Sequence, residues 1–234
     1  TSTRAILSYF RLEQDNMPDY GIPFIPATNT NPALADHLNE PAPVDYDNYY
    51  GLVERDYEDT TANIATFALE HDLTEGIRLS NTTRYGHAVR DSIYSAPRLQ
   101  TSDSTQVTPN TQSRDTIDKI LLNQSNIFAK FETGSVRHDA IAGFEISRER
   151  SRNQLRDVTA GSPTNIFDPD PERPWDGTIV DIPGEVVRAK ADSVAAYVFD
   201  TVHLNEQFLL TGGLRWERYK SAFRPTPAQT AANP

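Results

Sequence analysis

Residues 194–219, VAAYVFDTVHLNEQFLLTGGLRWERY, predict the fold of this chain more clearly than any other stretch. They contain two extended segments joined by a short polar turn at 205–207. Successive side chains of a strand point to opposite faces, so the alternation in the second segment indicates one apolar and one polar face. The apolar set is Phe208, Leu210, Leu214 and Trp216, and the polar set is Thr211, Arg215, Glu217 and Tyr219. Both a soluble sheet packed on a core and a membrane barrel with a wet lumen show this pattern.

The same alternation recurs along the whole chain. In residues 77–90, Ile77, Leu79 and Tyr85 lie opposite Arg78 and Arg84, with Ser80 and Thr82 also on the polar side. Weaker versions of this pattern occur in four other stretches. The predicted strands therefore fall in 2–12, 52–72, 77–90, 117–132, 137–150 and the two segments of 194–219. The sequence predicts an all-β antiparallel up-and-down meander of about seven long strands.

The connections between these strands alternate in length. Long polar breaks are predicted at 13–51, 91–116 and 151–187, and short turns at 72–76, 134–135 and 205–207. The first break is rich in proline, which is incompatible with a helix or a central strand. Short turns on one rim and long loops on the other are typical of an outer-membrane barrel, whereas sandwich connections are mostly short. A soluble β-sandwich with inserted loops remains the alternative fold.

Composition excludes several classes of function. No run of about 18 apolar residues occurs, which excludes a helical membrane protein. The net charge of −11 argues against a nucleic acid partner, because phosphate contacts need a basic surface. Cysteine is absent, and no G-x-S-x-G, H-E-x-x-H, G-x-G-x-x-G or Walker motif is found. We therefore expect no enzyme, no metal site and no cofactor.

Four ordered stretches resemble the TonB-dependent siderophore receptors, particularly their catecholate-type branch. The first is DNMPDYGIP at 15–23. The others are YYG at 49–51 with RDY at 55–57, LSNTTRYG at 79–86 with APR at 96–98, and AYVFDT at 196–201 with GLRW at 213–216. The resemblance implies a 22-stranded barrel with short periplasmic turns, long extracellular loops and a globular plug. Because 234 residues cannot form such a barrel, we expect residues 1–234 to be a partial barrel domain without the plug.

The resemblance also implies a function and its partners. The expected function is uptake of a ferric siderophore, of catecholate type, across the outer membrane of a Gram-negative bacterium. The iron complex is then the transported ligand. The expected partners are the ferric siderophore, the TonB energy-coupling complex acting through the missing plug, and lipopolysaccharide with outer-membrane lipid. The alternatives are a soluble or surface β-sandwich that binds glycans, and a general porin.

A ferric catecholate complex is anionic and aromatic, so arginine and aromatic side chains suit its binding. Residues of these types near the outer strand ends or on loops are the candidate ligand-binding set. They are Tyr20, Arg84, Arg90, Tyr94, Arg98 and Trp175, with Arg148, Arg150 and Arg152 as further strand-end arginines. The alternative is that the charges lie at the lipopolysaccharide level and the aromatic rings pack loops together. The alternation of side chains along each strand further predicts that Leu79, Phe144 and Leu214 face lipid. It also predicts that Ser80 and Thr211 face the lumen.

Overall fold

A computed structural model describes residues 2–232. Over these residues the chain forms ten strands, a 3-10 helix at Pro32–His37 and a short helix α1 at Pro227–Ala232. The strands are β1 (Thr3–Asn16), β2 (Phe24–Ile25), β3 (Glu40–Pro41), β4 (Tyr57–Thr74), β5 (Ile77–Leu99), β6 (Gln106–Thr133), β7 (Val136–Val158), β8 (Thr164–Asn165), β9 (Ile179–His203) and β10 (Leu209–Arg224). No described helix is long and apolar enough to cross a membrane.

The seven long strands form one antiparallel sheet. Its order is β1-β4-β5-β6-β7-β9-β10, so each long strand pairs with the long strands before and after it in sequence, and β8 adds a short pairing to β6. This is the predicted up-and-down meander. Within residues 2–232, β1 and β10 each pair on one side only, so the described sheet is open.

The three predicted short turns are confirmed. β4 and β5 are joined at 75–76, β6 and β7 at 134–135, and β9 and β10 at 204–208. Gly134 has a φ of 67°, a conformation that costs glycine little. In the third turn the Asn205 side chain accepts hydrogen bonds from the backbone N–H groups of Gln207 and Phe208, both at 2.9 Å. Turn chemistry therefore accounts locally for the second and third hairpins.

The register places apolar residues from five strands in one row. Leu79 is opposite Ile127, Ile127 is opposite Ala142, and Ala142 is opposite Val198, which in turn is opposite Leu214. Cross-strand partners share a face, so this row defines an apolar face that also carries Phe144. The neighbouring positions in each strand, including Ser80 and Thr211, lie on the other face. Both parity predictions therefore agree with the register.

The two faces differ in exposure. On the apolar face Phe144 is 47% and Leu214 78% exposed, so these large side chains do not meet in a dry core. On the polar face of β9, the small side chains of Ala191, Ser193 and Ala195 are buried. A curved sheet shields its concave side in this way, so we call the polar face the inward face and the apolar face the outward face. The two-layered core that a soluble sandwich needs is absent from residues 2–232.

Two of the predicted long breaks are wrong in their bounds. β5 continues to Leu99 and β6 begins at Gln106, so most of 91–116 is a paired hairpin rather than a loop. Likewise β7 continues to Val158 and β9 begins at Ile179, which leaves 159–178 as the connection. These strand extensions lack a polar–apolar alternation because neither face meets lipid, and they are held by backbone pairing together with buried side chains such as Ile93 and Val107.

The connection 17–56 packs with the tip of the β5–β6 hairpin and with the connection 159–178 into a compact unit, the loop body (residues 17–56, 92–111 and 159–178). Its core combines Ile25, Leu34 and Tyr50 from the first segment with Val107 and Ile166 from the other two. The hydroxyl of Tyr50 donates to the Ile166 carbonyl at 2.6 Å. The loop body is thus an ordered structure with its own small core of buried apolar side chains.

Candidate ligand-binding surface

The candidate surface lies where the inward face meets the loop body. Arg90, Tyr94 and Arg98 occupy alternate positions of β5, so all three lie on the inward face. Ser92 lies between the first two and is opposite Arg114 of β6. Arg114 is therefore on the same face, diagonal to both Arg90 and Tyr94.

Two tyrosines form the centre of this surface. The rings of Tyr20 and Tyr94 are stacked, with centroids 4.6 Å apart and planes 8° apart. Tyr94 is 4% exposed because Tyr20 covers it, whereas Tyr20 is 54% exposed. A tight turn presents Tyr20: the Asp19 carboxylate accepts a 2.8 Å hydrogen bond from the Gly21 N–H, and Gly21 has a φ of 72°. One aromatic ring is thus held against the sheet with its other side accessible.

Positive charge flanks the stacked rings. Arg90 forms an ion pair with Glu58, and its Nε donates to that carboxylate at 3.1 Å. The Arg114 guanidinium donates to the Ser113 carbonyl at 3.1 Å and has no carboxylate within 4.0 Å among residues 2–232. Burial and the Tyr20 hydroxyl raise the pKa of Tyr94, and the charges of Arg114 and Arg90 oppose that rise. An accessible aromatic ring beside an unpaired guanidinium suits a planar, anionic ligand.

Three of the six candidate residues lie outside this group. Arg84 is ten residues from Tyr94 along β5, roughly 33 Å at 3.3 Å per residue, and its Nε donates to Thr66 at 3.2 Å. Arg98 lies beyond Tyr94 near the hairpin tip and donates to the Pro97 carbonyl at 3.2 Å. The Trp175 indole N–H donates to the Thr159 carbonyl at 3.1 Å. Only Tyr20, Arg90 and Tyr94 are brought together.

The three further arginines of the sequence set point away from the lumen. On β7, even numbers of positions separate Phe144 from Arg148, Arg150 and Arg152, so these arginines lie on the outward face with it. Arg148 and Arg150 contact Asp192 of β9 at 2.9 and 3.6 Å. They cannot contribute to a site on the inward face.

Arg114 is the residue that sequence reasoning missed. It lies in 91–116, which the sequence predicts to be a loop without a pairing partner. The signal that identifies it is the register across the hairpin, which places it opposite Ser92. Register depends on turn geometry and tertiary pairing and cannot be deduced from a polar stretch without alternation.

A buried ion pair anchors the loop body to the strands beneath this surface. The Arg55 Nε donates to the Asp56 carboxylate at 2.9 Å, and both side chains are fully buried. Arg55 also donates to Ser95 at 2.6 Å and to Thr111 at 2.9 Å, which connects the first segment to β5 and β6. The Ser95 hydroxyl donates to Asp56 at 2.6 Å. The pair is fully hydrogen-bonded, the condition under which buried charges are tolerated.

Below this surface, the inward face is polar. Tyr197 donates a 2.5 Å hydrogen bond to Asn126 and accepts one of 2.6 Å from Gln124. Arg215 lies 5.5 Å from the Tyr197 ring centroid and contacts Glu145 at 3.2 Å. Such charged and amide side chains suit a hydrated lumen rather than a hydrocarbon environment. Among the described residues, no group of three or more His, Asp or Glu side chains could hold a metal ion.

Comparison with known proteins agrees with this geometry. The chain is 33% identical to the catecholate siderophore receptor Fiu of Escherichia coli K12 over 95% of its length, and 32% identical to the probable TonB-dependent receptor BfrD of Bordetella pertussis over 99%. It spans about a third of these relatives, 30% of the first and 33% of the second.

Solved structures show the same fold. The closed form of the Fiu crystal structure superimposes on 95% of this chain and 32% of its own, with a TM-score of 0.82 and 32% identity. The siderophore receptor PiuA from Acinetobacter baumannii has a TM-score of 0.82 at 25% identity, over 97% of this chain and 34% of its own. Receptors of this type are outer-membrane β-barrel proteins of Gram-negative bacteria, and they are transporters rather than enzymes. The family model for "TonB dependent receptor-like, beta-barrel" matches residues 2–234, and the chain therefore belongs to the TonB-dependent receptors.

Proposed function

We propose that this chain forms part of the barrel of a receptor that takes up a ferric siderophore of catecholate type. The observation that carries the proposal is the Tyr20–Tyr94 stack beside Arg90 and Arg114 at the outer end of the inward face. A ferric catecholate presents aromatic rings and net negative charge, and these groups complement both. The names of the relatives Fiu and PiuA support the same ligand class.

The segment contributes barrel wall and outer vestibule to this process. Because β1 and β10 pair on one side only among the described residues, we propose that further strands continue the sheet on both sides. In the proposed mechanism the ligand is captured at the loop body and then passes along the polar lumen wall. A plug domain, moved by the TonB energy-coupling complex, opens that path. The outward face contacts outer-membrane lipid, with lipopolysaccharide at the level of the long loops.

Ligand capture is tested by removing the exposed ring in the receptor that carries this segment. Tyr20→Ala removes the accessible side of the stack, and Arg114→Gln removes the unpaired guanidinium. The matched controls are Tyr46→Ala, whose ring is 82% exposed on the same connection, and Arg137→Gln at the short-turn end. Binding is measured by ligand-induced quenching of intrinsic fluorescence with a ferric catecholate complex.

We expect each test variant to weaken binding by about fivefold to thirtyfold, since a cation–π or stacking contact contributes roughly 1–2 kcal/mol. The double variant should lose more than either single variant. The two controls should bind like the wild-type receptor. Unchanged affinity in the double variant would contradict the assignment of this surface, and absence of ferric catecholate binding to the wild-type receptor would contradict the ligand class.

A further inference from the structure

A patch of polar side chains interrupts the outward face in the middle of the membrane span. Its members, which we call the amide patch, are Asn81, Thr83, Asn123 and Ser125. Even numbers of positions separate them from Leu79 on β5 and Ile127 on β6, so they point toward lipid. The cross-strand neighbours of the patch are large and apolar, namely Phe67 and Leu69 on β4 and Phe144 and Ile146 on β7.

The amide patch is hydrogen-bonded within itself and can still bond to a partner. Asn81 and Asn123 exchange reciprocal Nδ2–Oδ1 hydrogen bonds of 3.1 Å. Asn81 also donates to Ser125, and Asn123 to Thr83, both at 2.7 Å. Among residues 2–232 the hydroxyl hydrogen of Ser125 has no acceptor. Hydrocarbon offers no hydrogen bonds, so polar side chains at this depth normally face protein.

A row of acidic residues lies on the outward face at the long-loop end. Asp15 is opposite Asp59, which is opposite Asp91. Asp91 is in turn opposite Asp115. Arg156 binds Asp91 at 2.5 and 3.1 Å and contacts Asp115 at 3.6 Å, so the two aspartates on β5 and β6 share one cation. Within residues 2–232, Asp15 and Asp59 form no ion pair within 4.0 Å.

Two arginines occupy matching positions on the other side of the amide patch. Arg152 of β7 is opposite Arg188 of β9, and neither forms an ion pair within 4.0 Å in the described part of the chain. Like Asp15 and Asp59, each lies six positions past the last apolar or aromatic outward side chain before the polar stretch of its strand. These side chains are Tyr9 on β1, Ala65 on β4, Ile146 on β7 and Val194 on β9. The two acids and the two cations therefore lie at a similar depth.

The strand order makes this arrangement self-complementary. It runs β1-β4-β5-β6-β7-β9, so the amide patch on β5 and β6 lies between the acidic and the cationic strands. A twofold axis along the membrane normal, between β5 and β6, places β4 of one copy against β7 of the other and β1 against β9. Asp59 of each copy then faces Arg152 of the other, and Asp15 faces Arg188. Near the axis the two amide patches meet, as do the aspartates that Arg156 already binds.

We propose that this outward face joins two copies of the receptor side by side in the membrane, through an interface centred on β5 and β6. The facing charges relieve the repulsion within each row, and the amide patches hydrogen-bond to each other. A groove of about 640 Å³ beside the patch is lined in part by the small side chains of Ala142 and Ala196. Leu69 of the other copy, on β4, faces this groove. The inference goes beyond the proposed uptake and rests on the role of this chain as barrel wall.

The test measures the oligomeric state of the full receptor by analytical ultracentrifugation in detergent micelles. One variant, Asp15→Arg/Asp59→Arg, makes the acidic side positive. A second variant, Arg152→Asp/Arg188→Asp, makes the cationic side negative. Each variant is measured alone, and the two are then measured as an equimolar mixture. Heat-modifiable migration in gels shows that each barrel is folded.

The wild-type receptor should form a dimer whose fraction rises with concentration. Each variant alone should have a dimer dissociation constant about tenfold to a hundredfold higher, because like charges then face each other. The mixture should dimerise again, since the positive side of one variant faces the negative side of the other. A monomeric wild-type receptor, or a mixture of folded variants that stays monomeric, would overturn the proposal.

Two further variants locate the interface. Asn81→Leu/Asn123→Leu should weaken the dimer about threefold to tenfold, because it removes the hydrogen bonds between the patches. Arg218→Asp/Lys220→Asp reverses two outward cations on β10, which lies outside the proposed contact, and should dimerise like the wild type. Equal weakening by the β10 variant and the β7–β9 variant would overturn the placement. Binding of a ferric catecholate is measured in the same samples, and its retention in the monomeric variants separates this inference from the proposed uptake function.

Discussion

The phenol ring of Tyr197 lies over Gly143, its directly paired neighbour on the adjacent strand of the inward face. A Cβ atom on Gly143 would overlap that ring, so the bare backbone is what allows the ring to lie flat. In this position the Tyr197 hydroxyl reaches Asn126 at 2.5 Å, and the ring lies beneath Arg215. The glycine thus supports a polar network that crosses four strands.

The substitution Gly143→Ala is expected to displace Tyr197 and to lower the free energy of unfolding by about 1–3 kcal/mol, the usual cost of overpacking. The measurement is urea unfolding of the receptor in lipid vesicles. Gly212→Ala is the matched control, because a Cβ there meets nothing within 4 Å. Equal effects of the two substitutions would show that the Tyr197–Gly143 contact has no energetic role.

An arginine at Leu214 is expected to destabilise the barrel by about 2–4 kcal/mol, because this outward residue lies near the middle of the span. The same substitution at Thr211, three residues away on the inward face, should be tolerated, since its side chain points into the lumen. Unfolding free energies in vesicles measure both. Equal tolerance at the two positions would mean that the faces are assigned the wrong way round.

Removal of the Asp56 carboxylate by Asp56→Ala is expected to destabilise the loop body by about 3–5 kcal/mol, because Arg55 would remain buried without its partner. Hydrogen exchange in 17–56 measures the change, and exchange in β9 should be unaffected. Glu13→Ala breaks an exposed pair with Arg11 instead and should leave stability nearly unchanged, because water and salt screen exposed ion pairs. Uniform destabilisation of the whole barrel would contradict a local anchor.

The long-loop end of the sheet, around Asp91, is expected to become less stable in acid. Burial opposes ionisation of Asp91, but the bonds from Arg156 and Tyr57 outweigh it and lower the pKa of Asp91. A carboxyl group with a lowered folded-state pKa stabilises the fold above its unfolded pKa of about 3.9, and this stability is lost as pH falls through the folded value. Burial and Asp91 also raise the pKa of Tyr57 to about 12, so Tyr57 keeps donating across this range.

This pH effect is measured as the rate of limited proteolysis in 159–178 between pH 7 and pH 3. The rate should rise steeply below about pH 4 in the wild-type receptor. Arg156→Gln removes the main stabilising partner, so its proteolysis should already be fast at pH 7 and should vary less with pH. Arg78→Gln, at the short-turn end, should keep the wild-type profile. A wild-type profile for Arg156→Gln would contradict the role given to this arginine.

Local chemistry made the membrane part of the fold predictable. Alternation in 77–90, 137–150 and 194–219 identified the strands and both faces, because a span with lipid on one side and water on the other must alternate. The three short turns followed from glycine and asparagine, whose preferences act within four residues. The pairing within each of these three hairpins followed directly, because a short turn places its two strands side by side.

The sequence by itself therefore determined the meander, its orientation and the family resemblance carried by DNMPDYGIP and its companion motifs. Only the tertiary structure decided how the chain is arranged beyond the membrane span. There the paired strands run on without alternation, and the loop body is held by Arg55, Asp56 and a shared core. The same pairing brings Arg114 to the tyrosine stack and turns Arg150 and Arg152 outward. These placements depend on cross-strand register and on contacts between distant segments, which no local pattern encodes.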